Sequence, residues 1–269
     1  MIRPPAVAGK FYPDDPKDLA ALVQQYTREP NQHEKLHAKA CLVPHAGYVY
    51  SGHVAGAVFS RIVLVKRIII LGVRHYPRGE PLAILSAGKW RTPLGDAPIA
   101  EDLARRVGAA CPALREDQIA HRNEHSLEVQ LPFLQALEPH FTFVPIAVGT
   151  IRFPELVNVG EGLARVLAES GEDILVVTSS DMNHYEDDER TRWKDRQAID
   201  RMLSVDAAGL YEVCRKESIS MCGLGPTVVM LTALQKLGVE QGELVKYATS
   251  ADIAGDRERV VGYAGMLFA

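Results

Sequence analysis

Short apolar runs recur along the chain, each closed by a glycine, proline or serine and followed by a stretch of helical length; this alternation constrains the fold most. Cys41–Val43 stops at Pro44, Arg67–Leu71 at Gly72, and Ile174–Thr178 at Ser179. Runs this short and this uniformly apolar read as strands buried on both faces. Pro81–Leu85 and Thr142–Val148 read as two more strands. Helices are expected at Val54–Ile62, at Pro98–Ala110 with its proline in the first turn, and at Pro154–Ala168. Leu127, Leu131, Leu134 and Leu137 also fall at helical spacing, with Pro132 kinking or starting that helix. Three further helices are expected at Arg190–Leu203, Ala207–Lys216 and Pro226–Leu237, then strands at Glu243–Thr249 and Arg259–Phe268. The pattern predicts an α/β fold, with a central mixed, largely parallel sheet flanked by helices on both faces. No repeat or long linker divides the 269 residues, so one domain over 1–269 is expected. Arg28–His37 reads as a polar surface loop.

The formal net charge is -4 and no basic block is present, which argues against nucleic acid as a partner. The apolar runs are far too short to span a bilayer. Met1-Ile2-Arg3-Pro4-Pro5 has neither the charged start nor the apolar stretch of a signal peptide, so a cytoplasmic location is expected. Cys41, Cys111, Cys214 and Cys222 form no CxxC pair and no disulfide framework.

Histidines cluster at one kind of position. Pro44-His45-Ala46-Gly47-Tyr48 follows one strand, Gly72-Val73-Arg74-His75-Tyr76 the next, and Ser179-Ser180-Asp181-Met182-Asn183-His184-Tyr185 a third. In open α/β sheets, ligand sites form at the carboxyl ends of strands, where loops converge. If these strands are parallel, His45, His75 and His184 share a pocket. A lone histidine after a strand is more often a solvated loop residue; three at equivalent positions shift the balance toward function.

Cys222 lies in Met221-Cys222-Gly223-Leu224-Gly225-Pro226, just ahead of an expected helix. A helix N-terminus favours thiolate, the form that ligates metal, although a small buried residue packed at a helix start fits the sequence equally well. Two imidazoles and a thiolate suit zinc, copper or iron, not magnesium or calcium.

Two other patterns carry little. His121-Arg122-Asn123-Glu124-His125 matches the H-x-x-E-H of inverted zinc peptidases, but that chemistry needs both histidines on one helical face and His121 sits in a polar stretch of doubtful helicity. Gly47-Tyr48-Val49-Tyr50-Ser51-Gly52 lacks the lysine and spacing of a phosphate-binding loop.

Taken together, Ala8-Gly9-Lys10-Phe11-Tyr12-Pro13, Pro44-His45-Ala46-Gly47-Tyr48-Val49-Tyr50-Ser51-Gly52, Arg91-Thr92-Pro93-Leu94-Gly95-Asp96 and Glu124-His125-Ser126-Leu127-Glu128 resemble the Memo family (mediator of cell motility; AmmeMemoRadiSam system protein B). Leu71-Gly72 with His75, Ser179-Ser180-Asp181 with His184, Cys222-Gly223 and Tyr263-Ala264 extend the resemblance over nearly the whole chain. It implies a fold similar to LigB-type class III extradiol dioxygenases, which use non-haem iron. It implies that His45, His75 and Cys222 are metal ligands, with iron or copper ahead of zinc. His184 then sits at an acid/base position with Asp181 beside it, and Phe11, Tyr50 and His125 line the substrate or peptide pocket. Cys222 stands where those dioxygenases carry a carboxylate, and Phe11 where some family members carry tryptophan. The implied functions are a metal-dependent, dioxygenase-like oxidoreductase, or a non-catalytic metal- or peptide-binding accessory of a system with radical-SAM and Ammecr-type proteins.

Overall fold

A computed structural model describes residues 1–28 and 35–269 of the chain. Its main sheet is built on parallel strands that are apolar throughout. Arg67–Val73 pairs in parallel with Thr142–Val148 on one side and with Ile174–Ser179 on the other. Ile174–Ser179 also pairs in parallel with Ala40–Val43, so it runs between the strands that precede His45 and His75. Ile68, Ile69, Ile70 and Leu71 are fully buried because helices cover both faces. Antiparallel strands complete the sheet: Val260–Phe268 against Ala40–Val43, Glu243–Thr249 against Val260–Phe268, and Leu82–Ile84 against Thr142–Val148. This is the mixed, helix-covered α/β architecture expected from the sequence.

The helices Ala207–Lys216 and Phe153–Ala168 form where the apolar spacing places them. Tyr48–Ser60 begins six residues before the expected Val54, immediately after the His45 loop. Pro132 starts the helix Leu131–Leu137 rather than kinking a longer one.

Pro98 departs from expectation. It closes the strand Gly95–Pro98, which pairs with Lys89–Thr92 and, through that strand, with Ile2–Arg3 in a separate small sheet; the helix begins only at Glu101. Gly95 turns this hairpin at φ +123°, a conformation that side chains rarely adopt, and Asp96 accepts from Arg91 and Lys89 across it. Local turn chemistry thus outweighs the proline signal. A further helix, Pro16–Thr27, has an unambiguous start: Asp15 accepts from the backbone N–H of Lys17 and Asp18, and Leu19 and Val23 bury one face. Most of the expected loop Arg28–His37, residues 29–34, lies outside the described residues. Among the described residues, no helix is long and apolar enough to cross a membrane.

Candidate metal centre

Two parallel strands and one loop bring three histidines to one place. His45 follows Ala40–Val43, His75 follows Arg67–Val73, and His125 comes from the loop before the short 3-10 turn Glu128–Gln130. One ring nitrogen from each of the three imidazoles lies within 4.8 Å of the others. Ring centroids stand 5.1 Å apart for His45 and His75, 5.5 Å for His45 and His125, and 4.4 Å for His75 and His125. His125, expected to line the pocket, therefore completes the tight triad. Its position after a loop rather than a strand hid it from the strand-end argument.

Cys222 reaches the same pocket from the other side, its Sγ 3.2 Å from His45 Nε2. It touches His45 but does not join the three-imidazole group. Burial works against the thiolate that the helix end favours. Burial of the sulfur, reinforced by the nearby Asp181 carboxylate, pushes the thiol up despite the N–H that Asp181 donates to it. The helix Leu224–Lys236 starts two residues later, and its end effect is outweighed by desolvation. Cys41, Cys111 and Cys214 are buried core thiols.

Two of the imidazoles, His45 and His125, are held neutral. Burial and then the charge of His75 push His45 down to about 3; burial and then His45 push His125 down to about 4. Glu124 is fully buried, which works to raise its carboxyl, but hydrogen bonding to His75 and the surrounding imidazoles outweigh this and leave it at about 2. It accepts the Nδ1–H of His75 at 2.8 Å, a carboxylate–histidine pair of the kind that orients metal-binding imidazoles.

Asp181 and His184 flank the pocket. Asp181 Oδ1 accepts from the backbone N–H of His45 at 2.8 Å and Ala46 at 3.3 Å, while burial raises its pKa. His184 donates Nδ1–H to the carbonyl of Ser220 at 3.0 Å, leaving Nε2 free. Tyr185, next to it, adopts φ +64°, strained for a residue with a side chain. Phe11 packs on His125 at 4.8 Å between ring centroids, and Tyr50 is partly exposed at the start of its helix. Both belong to a groove of about 720 Å³ that also includes Tyr12, Tyr26 and Tyr48.

His121 takes no part. It is buried in the four-residue helix Ile119–Arg122, donates Nδ1–H to the Asp117 carbonyl and meets Trp90 edge-on. The H-x-x-E-H pattern is therefore broken up, with Glu124 turned to His75 instead.

The family model described as Memo-like protein matches residues 3–267. The chain belongs to the Memo family. Similar relatives include MEMO1 family proteins from Methanopyrus kandleri, 38% identical over all of this chain and 99% of the relative, and from Aquifex aeolicus and Archaeoglobus fulgidus, each 40% identical over 99% of both chains. Among solved structures, an uncharacterized protein from Escherichia coli K12 superposes with a TM-score of 0.52 at 14% identity, over 83% of this chain and 98% of its own. At that identity the likeness concerns the fold alone. In this Memo-family chain, the three imidazoles of His45, His75 and His125 form a donor set that can hold a transition metal.

Proposed function

We propose that this chain is a metal-dependent oxidoreductase acting on a small molecule that presents two adjacent oxygens, such as a catechol. The observation that carries the reading is the three-imidazole group of His45, His75 and His125, with the Cys222 sulfur beside His45 as a further donor. Imidazole and sulfur donors suit iron or copper ahead of hard, oxygen-seeking cations. When bound, such a metal supplies Lewis acidity and a redox couple at the pocket floor. The protein's own groups do the rest. His184, with Nε2 free, takes a proton from the substrate, and Asp181 lies within the same electrostatic environment to assist. Phe11 shields the His125 face from water and, with Tyr50, offers an apolar wall to a planar ligand. Protein purified without oxygen and loaded with iron(II) is expected to consume oxygen with a catechol panel, and His45→Ala to abolish uptake. Absence of stoichiometric metal in the reconstituted parent would overturn the proposal.

The aromatic groove beside the pocket favours a second reading: the chain holds metal or a peptide for radical-SAM and Ammecr-type partners without turnover. Stable association with such proteins that is lost on Tyr50→Ala, in protein without oxygen uptake, would favour it.

A further inference from the structure

The ring of His45 is flanked on its inner side by one hydroxyl: Nδ1 lies 2.9 Å from Ser179 Oγ. A serine hydroxyl can donate one hydrogen and accept two, and every one of those roles at Ser179 is assigned by its neighbours. The Ser126 carbonyl, which can only accept, lies 2.7 Å from Ser179 Oγ and so takes the hydroxyl hydrogen. Gln130 Nε2 lies 2.9 Å from the Pro44 carbonyl, another obligate acceptor, which fixes the amide with its nitrogen on this side. The same Nε2 is 3.0 Å from Ser179 Oγ and donates to it. The one role left to Ser179 toward His45 is to accept.

From this geometry we infer that Ser179 is a positioning residue that locks His45 in the Nδ1–H tautomer. Nε2 then carries a lone pair and is presented to Cys222 and to the space shared with His75 and His125. Ser179, Gln130 and His45 are all buried, so no solvent competes for these bonds. Histidine tautomers are set by the partner of the nitrogen facing away from the ligand. Here that partner is a neutral hydroxyl whose direction is dictated by the segment from Ser126 to Gln130, whereas His75 relies on a carboxylate.

The inference deepens the metal reading above and rests on it for its consequence, though the tautomer itself is measurable without metal. Long-range proton–nitrogen spectra of protein labelled with nitrogen-15 in histidine report which ring nitrogen carries hydrogen. The parent is expected to show His45 as Nδ1–H. In Ser179→Ala, His45 is expected to show a mixture containing the Nε2–H form, His75 to stay unchanged as an internal control of folding, and cobalt(II) affinity to fall roughly 10–100-fold. Ser179→Thr, which keeps the hydroxyl, is expected to restore both readouts. A parent His45 in the Nε2–H form would overturn the inference, and so would a folded Ser179→Ala with unaltered tautomer and cobalt affinity. A parent that binds no cobalt but keeps His45 as Nδ1–H would overturn the metal reading while upholding this one.

Discussion

The Glu124 carboxylate grips His75 at two points, accepting its backbone N–H at 2.6 Å and its ring Nδ1–H at 2.8 Å. One buried side chain thereby fixes both where the loop after Arg67–Val73 sits and which way its imidazole faces. Ser126 N–H bonds the same carboxylate at 2.8 Å, and Ser126 Oγ bonds the Val73 backbone, so the 124–126 segment is keyed to the end of that strand.

Glu124→Gln is expected to weaken transition-metal binding by roughly 10–100-fold, because the amide keeps only one of the two acceptor oxygens that together take three N–H donors. Competition against a chelator measures this. Glu124→Ala is expected also to lose about 1–3 kcal/mol of stability for each buried donor left without a partner, read from denaturant unfolding.

Glu128 is a second buried carboxylate with a different task. It accepts from Arg3 at 2.6 Å, from the Tyr12 hydroxyl at 2.6 Å, and from the backbone N–H of Ala6 and Val7. These bonds tie down the N-terminal arm that carries Phe11 onto His125. Glu128→Ala leaves the buried Arg3 unpaired and is expected to cost roughly 3–5 kcal/mol. Hydrogen exchange over residues 3–13 is expected to rise well beyond that of the central sheet; equal protection in both regions would count against the tether.

Loss of stability in acid is expected from the buried rings. Burial pushes His121 down to about 4, whereas in the unfolded chain it returns to about 6.5. The unfolded state therefore takes up the proton first as pH falls. The stability conferred by the neutral ring is complete above about pH 6.5 and is lost progressively toward pH 4, by roughly 3 kcal/mol. His45 and His125 act in the same direction. His121→Leu, which lies outside the imidazole group, is expected to show a shallower fall in urea midpoint between pH 7 and pH 4 than the parent.

Gly223 separates Cys222 from its helix at a point of close approach. A β-carbon there would lie 2.3 Å from the Ser180 Cβ and 2.8 Å from the Ser179 carbonyl oxygen. Gly223→Ala is expected to push the Cys222 segment away from the sheet end, lowering both stability and metal affinity although every donor side chain is retained. Binding at parental strength would show that Cys222 does not need its present position.

The strands and most helices were legible because burial on both faces leaves continuous apolar runs, and Glu243–Thr249 and Ala207–Lys216 match their expected bounds. The small sheet of Ile2–Arg3, Lys89–Thr92 and Gly95–Pro98 was not, since its stability comes from a glycine turn and ion pairs rather than hydrophobic period. The helix Pro16–Thr27 carried its signal in Asp15 and Pro16, a cap and a first-turn proline that the apolar pattern alone does not weigh. At the site, the convergence of His45 and His75 was readable from strand ends. The inward turn of His125 was not: it depends on Glu124 being drawn to His75, a tertiary bond between loops far apart in sequence.

The strand ending in Ser179 runs between those that lead to His45 and His75. Neighbouring backbones in a sheet lie about 4.8 Å apart, so the two outer strands stand roughly 10 Å from each other. The two rings close that gap to 5.1 Å by leaning inward over the end of the middle strand. They have headroom because a serine, not a large residue, ends it at 179. Donor separation is thus inherited from the pitch of peptide hydrogen bonding, and the middle strand acts as a low sill whose height a side chain larger than serine or threonine would raise.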